Sequence, residues 1–151
     1  MTVRPAVQED TPQIVALVRS ILGGEFPQDQ AAYATDDLEH FTQTYGGTGS
    51  TFLVAEKDGR IVGTLGIKAE GARTAVLRRL FVDPQQRRHG IGSKLFDEAL
   101  AFCRQQKYRE VIIRTSTRME KAIRLCLSKG FGEDDRWQLA DVTLIRYRLK
   151  L

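Results

Sequence analysis

Histidine and cysteine are scarce in this chain of 151 residues, with two of each. His40 and His89 stand apart from each other and from Cys103 and Cys126, so no set of ligands at metal-binding spacing arises. Two cysteines also fall short of a disulfide framework. Proline is limited to four residues, and no linker, repeat or low-complexity stretch divides the chain. At this length one domain spanning 1–151 is expected, large enough to bury a core without crosslinks. No apolar run approaches the ~20 residues of a membrane span. The opening MTVRPAVQED lacks the apolar segment of a secretion signal. These absences predict a reduced, cytoplasmic protein with no metal and no membrane partner. The net charge of +4 favours anionic partners such as phosphates. Nucleic acid is not an expected partner: no motif for that task is present, and aromatic residues do not interleave with basic ones.

What is present alternates between two periods. Ile14, Leu17, Val18, Ile21 and Leu22 make a helical stripe, with Asp10 or Thr11 able to cap it and Gly23 able to close it. TDDLEHFTQTYGG predicts a second, shorter helix capped by Thr35. STFLVAEKDGRIVGTLGIK predicts a hairpin around Asp58-Gly59, a dipeptide that accepts positive φ. TAVLRRLFV and EVIIRTS read as strands. GIGSKLFDEALAFCRQQKY reads as a long helix, and TRMEKAIRLCLSKGF as another that Gly130 ends, with Phe131 making a hydrophobic capping contact. TLIRYRLKL alternates as a final strand. The order β-α-α-β-β-β-α-β-α-β-β predicts a mixed α/β fold around one sheet.

The densest chemical signal is RRHGIG, Arg87 to Gly92, between the strand ending at Val82 and the long helix. A helix start leaves about four backbone N–H groups without partners, and its dipole attracts an anion. Gly90 and Gly92 remove the side chains that would keep a phosphate off the backbone. Arg87, Arg88, His89 and Lys94 supply counter-charge. Taken from the residues alone, this is a pyrophosphate cradle, with a plain turn and a solvated basic surface as alternatives. The dinucleotide and nucleoside-triphosphate fingerprints are both absent.

LRRLFVDPQQRRHGIGSKL resembles the signature segment of the GCN5-related N-acetyltransferases, the GNAT superfamily, whose motif R/Q-x-x-G-x-G/A is matched by Arg87 through Gly92. VRPAVQED followed by a helix, the hairpin FLVAEKDGRIVGTLGI and AIRLCLSKGF are similar to further family segments, in the right order and over nearly the whole chain. The resemblance implies a mostly antiparallel central sheet, splayed between two strands, with helices on both faces. It implies acetyl-CoA as co-substrate, with its diphosphate on the backbone of Arg88, His89, Gly90, Ile91, Gly92 and Ser93 beside Arg87. The pantetheine arm would lie along Leu80, Phe81 and Val82. It implies direct attack on the thioester by a primary amine of a small molecule or peptide, and a possible homodimer.

The chain departs from the family pattern where protons move. Val76 stands where many members carry a carboxylate base, Cys126 where many carry a tyrosine acid, and Met119 where an asparagine is common. Cys126 is therefore a candidate acid, although Met119, Ala122, Ile123 and Cys126 also form one helical face that reads as core. Glu25, Asp29 and Glu70 are the candidate carboxylates on the acceptor side. One of Arg78 and Arg79 is expected to face the cleft, where it could orient an acidic acceptor. A coenzyme-binding module without catalysis is the alternative function.

Overall fold

Asp58 and Gly59 both take positive φ, +52° and +78°. They join Thr51–Lys57 (β2) to Arg60–Ala69 (β3) as the expected hairpin. From this hairpin a seven-stranded mixed sheet extends in the computed structural model, which describes residues 1–25 and 36–151, the side chains of 25 and 36 excepted. Thr2–Pro5 (β1) pairs with β2, and Thr74–Val82 (β4) pairs antiparallel with β3. Glu110–Ser116 (β5) lies parallel to β4. Gly132–Leu139 (β6) and Val142–Lys150 (β7) complete the order β1-β2-β3-β4-β5-β7-β6. The helices are Thr11–Glu25 (α1), Asp36–Glu39 (α2), Phe41–Thr44 (α3), Ile91–Gln105 (α4) and Glu120–Ser128 (α5).

Both faces of the sheet are covered, and side-chain alternation decides which residue faces which layer. Leu53 and Ala55 of β2 join the layer beneath α4, whose Ile91, Leu95, Phe96, Ala99 and Cys103 are buried. Their neighbours Phe52 and Val54 join the opposite layer, beneath Ile14, Val18, Ile21 and Leu22 of α1. α5 ends as expected: Gly130 takes φ +92°, and the Phe131 amide donates to the Cys126 carbonyl at 3.1 Å. Phe131 then packs edge-on to Phe96, with ring centroids 5.4 Å apart.

Two expectations change. α1 does not close at Gly23 but continues to Glu25. The second helix is two short pieces, because His40 at φ −124°, ψ 38° leaves helical geometry between them. Leu38, Phe41 and Tyr45 are nevertheless buried, and Phe41 and Tyr45 both pack on Phe52. β6, the first of the two closing strands expected, carries the acidic run Glu133-Asp134-Asp135 and has little strand character of its own. Its pairing is supported from β7: Arg146 donates to Asp134 at 2.8 Å and Arg148 at 2.5 Å. Arg148 also pairs with Glu110 at 2.6 Å, so both strand arginines are committed to carboxylates.

Candidate active site

β4 and β5 pair only from Thr74↔Glu110 to Leu77↔Ile113. Beyond that point β4 stays with β3 as far as Val82, and β5 stays with β7 as far as Ser116. The two parallel strands therefore part after Leu77. A bulge accompanies the parting: Thr64 faces Phe81 and Gly66 faces Arg78, so three steps of β4 oppose two of β3. Arg79 sits inside it at φ +59°. A non-glycine residue there carries a cost of about 1–2 kcal/mol, and its surroundings hold it. The Thr64 hydroxyl donates to the Arg79 carbonyl at 2.7 Å. The Arg79 guanidinium, 6% exposed, forks onto Asp37 at 2.5 and 3.0 Å. The Tyr45 hydroxyl donates to the same carboxylate at 2.9 Å. Burial alone would raise Asp37, but Arg79, Tyr45 and Arg78 outweigh it and hold the carboxyl below its usual range.

The parting leaves backbone groups of β4 without a strand partner on one side. The Asp83 amide donates to the Val62 carbonyl at 2.8 Å. Alternation then turns Phe81 toward β3 and the peptide groups of Leu80 and Val82 toward the opening. Leu80, Phe81 and Val82 line a cavity of about 680 Å³ there.

The same cavity is floored by the loop into α4. Asp83 accepts from the Gln85 amide at 2.9 Å and Pro84 opens a 3-10 turn, which ends the strand cleanly. Arg88 at φ +71° and Gly90 at φ +73° then fold the loop back onto the helix start. The first helical bond runs from the Lys94 amide to the Gly90 carbonyl. The amides of Ile91, Gly92 and Ser93 precede it and point out of the helix end. A Cβ on Gly90 would enter open space, whereas one on Gly92 would press on Leu125 at 3.2 Å. Gly90 keeps the mouth of the cradle clear, and Gly92 lets α4 approach α5. Arg87 and Arg88 line one side, and Arg118, Lys121 and Arg124 face them from the start of α5. A surface of convergent amides, glycine and guanidinium suits a diphosphate.

A second cavity, of about 430 Å³, lies along the preceding residues of β4. Its walls are Val76, Leu77, Arg78 and Arg79 of β4, Lys68, Ala69 and Glu70 from the end of β3, and Arg114, Trp137 and Leu144 from β5, β6 and β7. The bulge at Arg79 divides the two: residues 76–79 line one cavity and 80–82 the other.

Of the residues singled out by sequence, Leu80, Phe81, Val82, Arg87, Arg88, Gly90, Ile91 and Gly92 come together around the larger cavity. His89 is exposed beside it and does not line it. The Ser93 hydroxyl accepts from Lys129 at 2.7 Å, outside the cavity lining. Glu70 lies in the smaller cavity, 3.7 Å from Arg114. Both Arg78 and Arg79 reach that cavity, not one alone. Cys126 is placed elsewhere: fully buried in the layer beneath α4 and on the wall of neither cavity. Burial pushes its thiol up to about 12, a poor proton donor near neutrality. The Glu25 side chain and Asp29 lie outside the described residues. Sequence reasoning missed Lys68, Arg114, Trp137 and Leu144 as site residues. Among the described residues no group of three or more His, Cys, Asp or Glu side chains could hold a metal. No described helix is long and apolar enough to cross a membrane.

Parallel strands that part at a bulge beside a glycine-opened helix start define a class of fold with one ligand edge and one amide cradle. Residues 15–131 match the Acetyltransferase (GNAT) family, and the chain belongs to it. It is 37% identical over 123 residues to N-acetyltransferase 8 of Rattus norvegicus, covering 74% of this chain and 55% of that protein. The chain thus spans about half the length of that relative. Its fold is similar to that of a GNAT-family acetyltransferase from Staphylococcus aureus Mu50, with a TM-score of 0.84, 24% identity, and 99% and 98% of the two chains covered. It is also similar to a phosphinothricin acetyltransferase from Sinorhizobium meliloti in complex with AcCoA, at TM-score 0.82, 21% identity and 99% and 88% coverage.

Proposed function

We propose that this chain is an N-acetyltransferase that takes acetyl-CoA as co-substrate and transfers its acetyl group to a primary amine. The observation that carries this reading is that the two cavities are lined by successive residues of β4, Val76 to Arg79 and then Leu80 to Val82. An acyl donor lying along Leu80 to Val82 would present its reacting end at Arg78 and Arg79, where the second cavity opens. The AcCoA complex of the Sinorhizobium meliloti protein and the N-acetyltransferase relatives support it.

Acetyl-CoA, when bound, supplies an activated acetyl thioester. The amides of Arg88 through Ser93 would take its diphosphate, with Arg87, Arg88, Lys121 and Arg124 as counter-charge. The peptide groups of Leu80 and Val82 would pair with its amide-bearing arm as a strand edge pairs with an extended ligand. A main-chain N–H near Val82 would stabilise the carbonyl oxygen as charge builds on it. The amine nitrogen bonds to the acetyl carbon, the carbon–sulfur bond breaks, and the electron pair leaves with sulfur. A thiol with a pKa of about 8.5 leaves without an acid, so buried Cys126 is not needed. The proton lost by the amine passes to water or to Glu70, the one carboxylate among the described residues on the wall of the acceptor cavity. Val76, 6% exposed on the same wall, cannot take it.

The test is calorimetry with acetyl-CoA followed by release of free thiol in the presence of an amine panel. Binding with turnover is expected. Binding without turnover of any amine would favour a coenzyme-sensing module, and no binding by folded protein would remove the reading altogether.

A further inference from the structure

The acceptor cavity is unusual for a pocket that must receive an amine, because its walls are mostly cationic. Among the described residues Lys68, Arg78, Arg79 and Arg114 line it, with Glu70 as the single carboxylate. These charges come from three strands, so the cluster is made by the sheet and not by a run in the chain. Asp37 neutralises Arg79 from behind, at 2.5 Å, and reaches Arg78 only at 4.0 Å. Arg114 meets Glu70 at 3.7 Å, beyond hydrogen-bonding distance. Arg78 and Arg114 keep 37% and 39% of their side-chain surface exposed. They stand on the two strands at the point where those strands part. The remaining wall is apolar, with Val76, Leu144 and the half-buried Trp137.

We infer that the acceptor is a small amine that also carries a carboxylate and an apolar side group, with Arg78 and Arg114 holding the carboxylate; this rests on the acetyl-transfer reading. Two guanidiniums on parting strands present fork-shaped donors suited to a carboxylate. The volume of about 430 Å³ suits a ligand of amino-acid to dipeptide size. The same charges bear on the nucleophile. An ammonium among guanidiniums is disfavoured relative to the neutral amine, so the wall lowers the amine's pKa. That does part of the work of the carboxylate base missing at Val76. The acceptor's own carboxylate offsets the repulsion on entry, which a simple alkylamine has no means to do.

The test uses matched acceptors, L-phenylalanine against L-phenylalaninamide and L-tryptophan against L-tryptophanamide, with saturating acetyl-CoA. The amides have the less basic amines, so intrinsic reactivity at neutral pH favours them. Preference for the free acids, with KM lower by about 10–100-fold, is expected, as fits a hydrogen-bonded charge pair. Arg78→Ala and Arg114→Ala should each raise KM for the acids, while KM for the amides holds or falls as the repulsion of their ammonium form is relieved. Arg114→Lys, which keeps the charge but not the fork, should restore only part of the acid preference. Equal KM for acids and amides, or equal loss on both in the variants, overturns the carboxylate inference and leaves acetyl transfer standing. Turnover of neither member of either pair, while other amines react, also overturns it. Failure of all amines with acetyl-CoA bound overturns the transfer reading and this inference with it.

Discussion

The two cavities along β4 are built from different materials. The Leu80–Val82 side offers mainly main chain, strand peptide groups and helix-start amides, with Gly90 keeping the mouth clear and basic side chains around the rim. On the Val76–Arg79 side they are side chains drawn from β3, β4, β5, β6 and β7. A backbone site tolerates change in most side chains around it but not in the residues that set φ. A side-chain site is the reverse, and can be retuned one residue at a time without moving the strands. The difference teaches where one fold can keep a common donor and vary its acceptor.

The bulge is the shared wall, so it is the place where one substitution should damage both sides. Arg79→Ala leaves Asp37, 14% exposed, without its fork partner. Removing one member of a buried pair typically costs about 3–5 kcal/mol, and chemical denaturation should register a loss of that order. Arg79→Gly suits φ +59° but loses the same pair, so its deficit should be smaller by the strain relieved. The pair also sets an acid limit. Asp37 has a depressed folded pKa, so its stabilisation is complete above the unfolded value near ~3.9 and is lost as pH falls through the lower folded one. Asp37→Asn should flatten that part of the stability–pH curve. A wild-type curve that Asp37→Asn leaves unchanged below pH ~4 would show that the network contributes nothing.

Gly90→Val separates the two sides. The position has room for a side chain but holds φ +73°, where a β-branched residue is an outlier. The valine would both strain the loop and occupy the mouth of the cradle. Acetyl-CoA affinity should fall by about 100-fold or more, equivalent to about 2.7 kcal/mol, measured by calorimetry on protein whose cooperative unfolding is retained. Arg114→Ala should leave that affinity as it is. If Gly90→Val and Arg114→Ala weaken coenzyme binding alike, the division at Arg79 is wrong.

The same division explains what could be read from the chain. The donor side was legible because its physics is local. Arg87 to Gly92 supplies the helix start, the positive-φ positions and the charge within six residues. The hairpin at Asp58-Gly59 and the strands Thr74–Val82 and Glu110–Ser116 were legible for the same reason, since turn chemistry and apolar runs act over short distances. The acceptor side depends on register. Arg114 faces the cavity because β5 pairs with β4 only through Leu77, and Trp137 because β6 pairs Trp137 with Leu144 on β7. No spacing in the chain carries that information. The break at His40 escaped for a related reason, since burial against Phe52 is a contact distant in sequence.

Cys126 gives the smallest effect and the sharpest limit on the donor side. Its position matches the family's tyrosine acid, yet its side chain is fully buried among residues that pack under α4. Burial raises the thiol to about 12, so it neither ionises nor yields its proton readily between pH 6 and 9. Cys126→Ala removes one sulfur from a packed layer and should cost about 1 kcal/mol of stability. The kcat should stay within about threefold of the parent, a change in barrier below about 0.7 kcal/mol. The pH profile of kcat should keep its shape, because no group that titrates in that range has been removed. Native protein should also resist alkylation at this site until it unfolds, which mass spectrometry of the labelled chain would follow. Loss of most of kcat with acetyl-CoA affinity intact would mean that the helix carrying Cys126 shifts during turnover and brings the thiol to the departing sulfur. The proton-transfer half of the site would then sit on the donor side, and the contrast between a backbone-built donor cavity and a side-chain-built acceptor cavity would no longer hold.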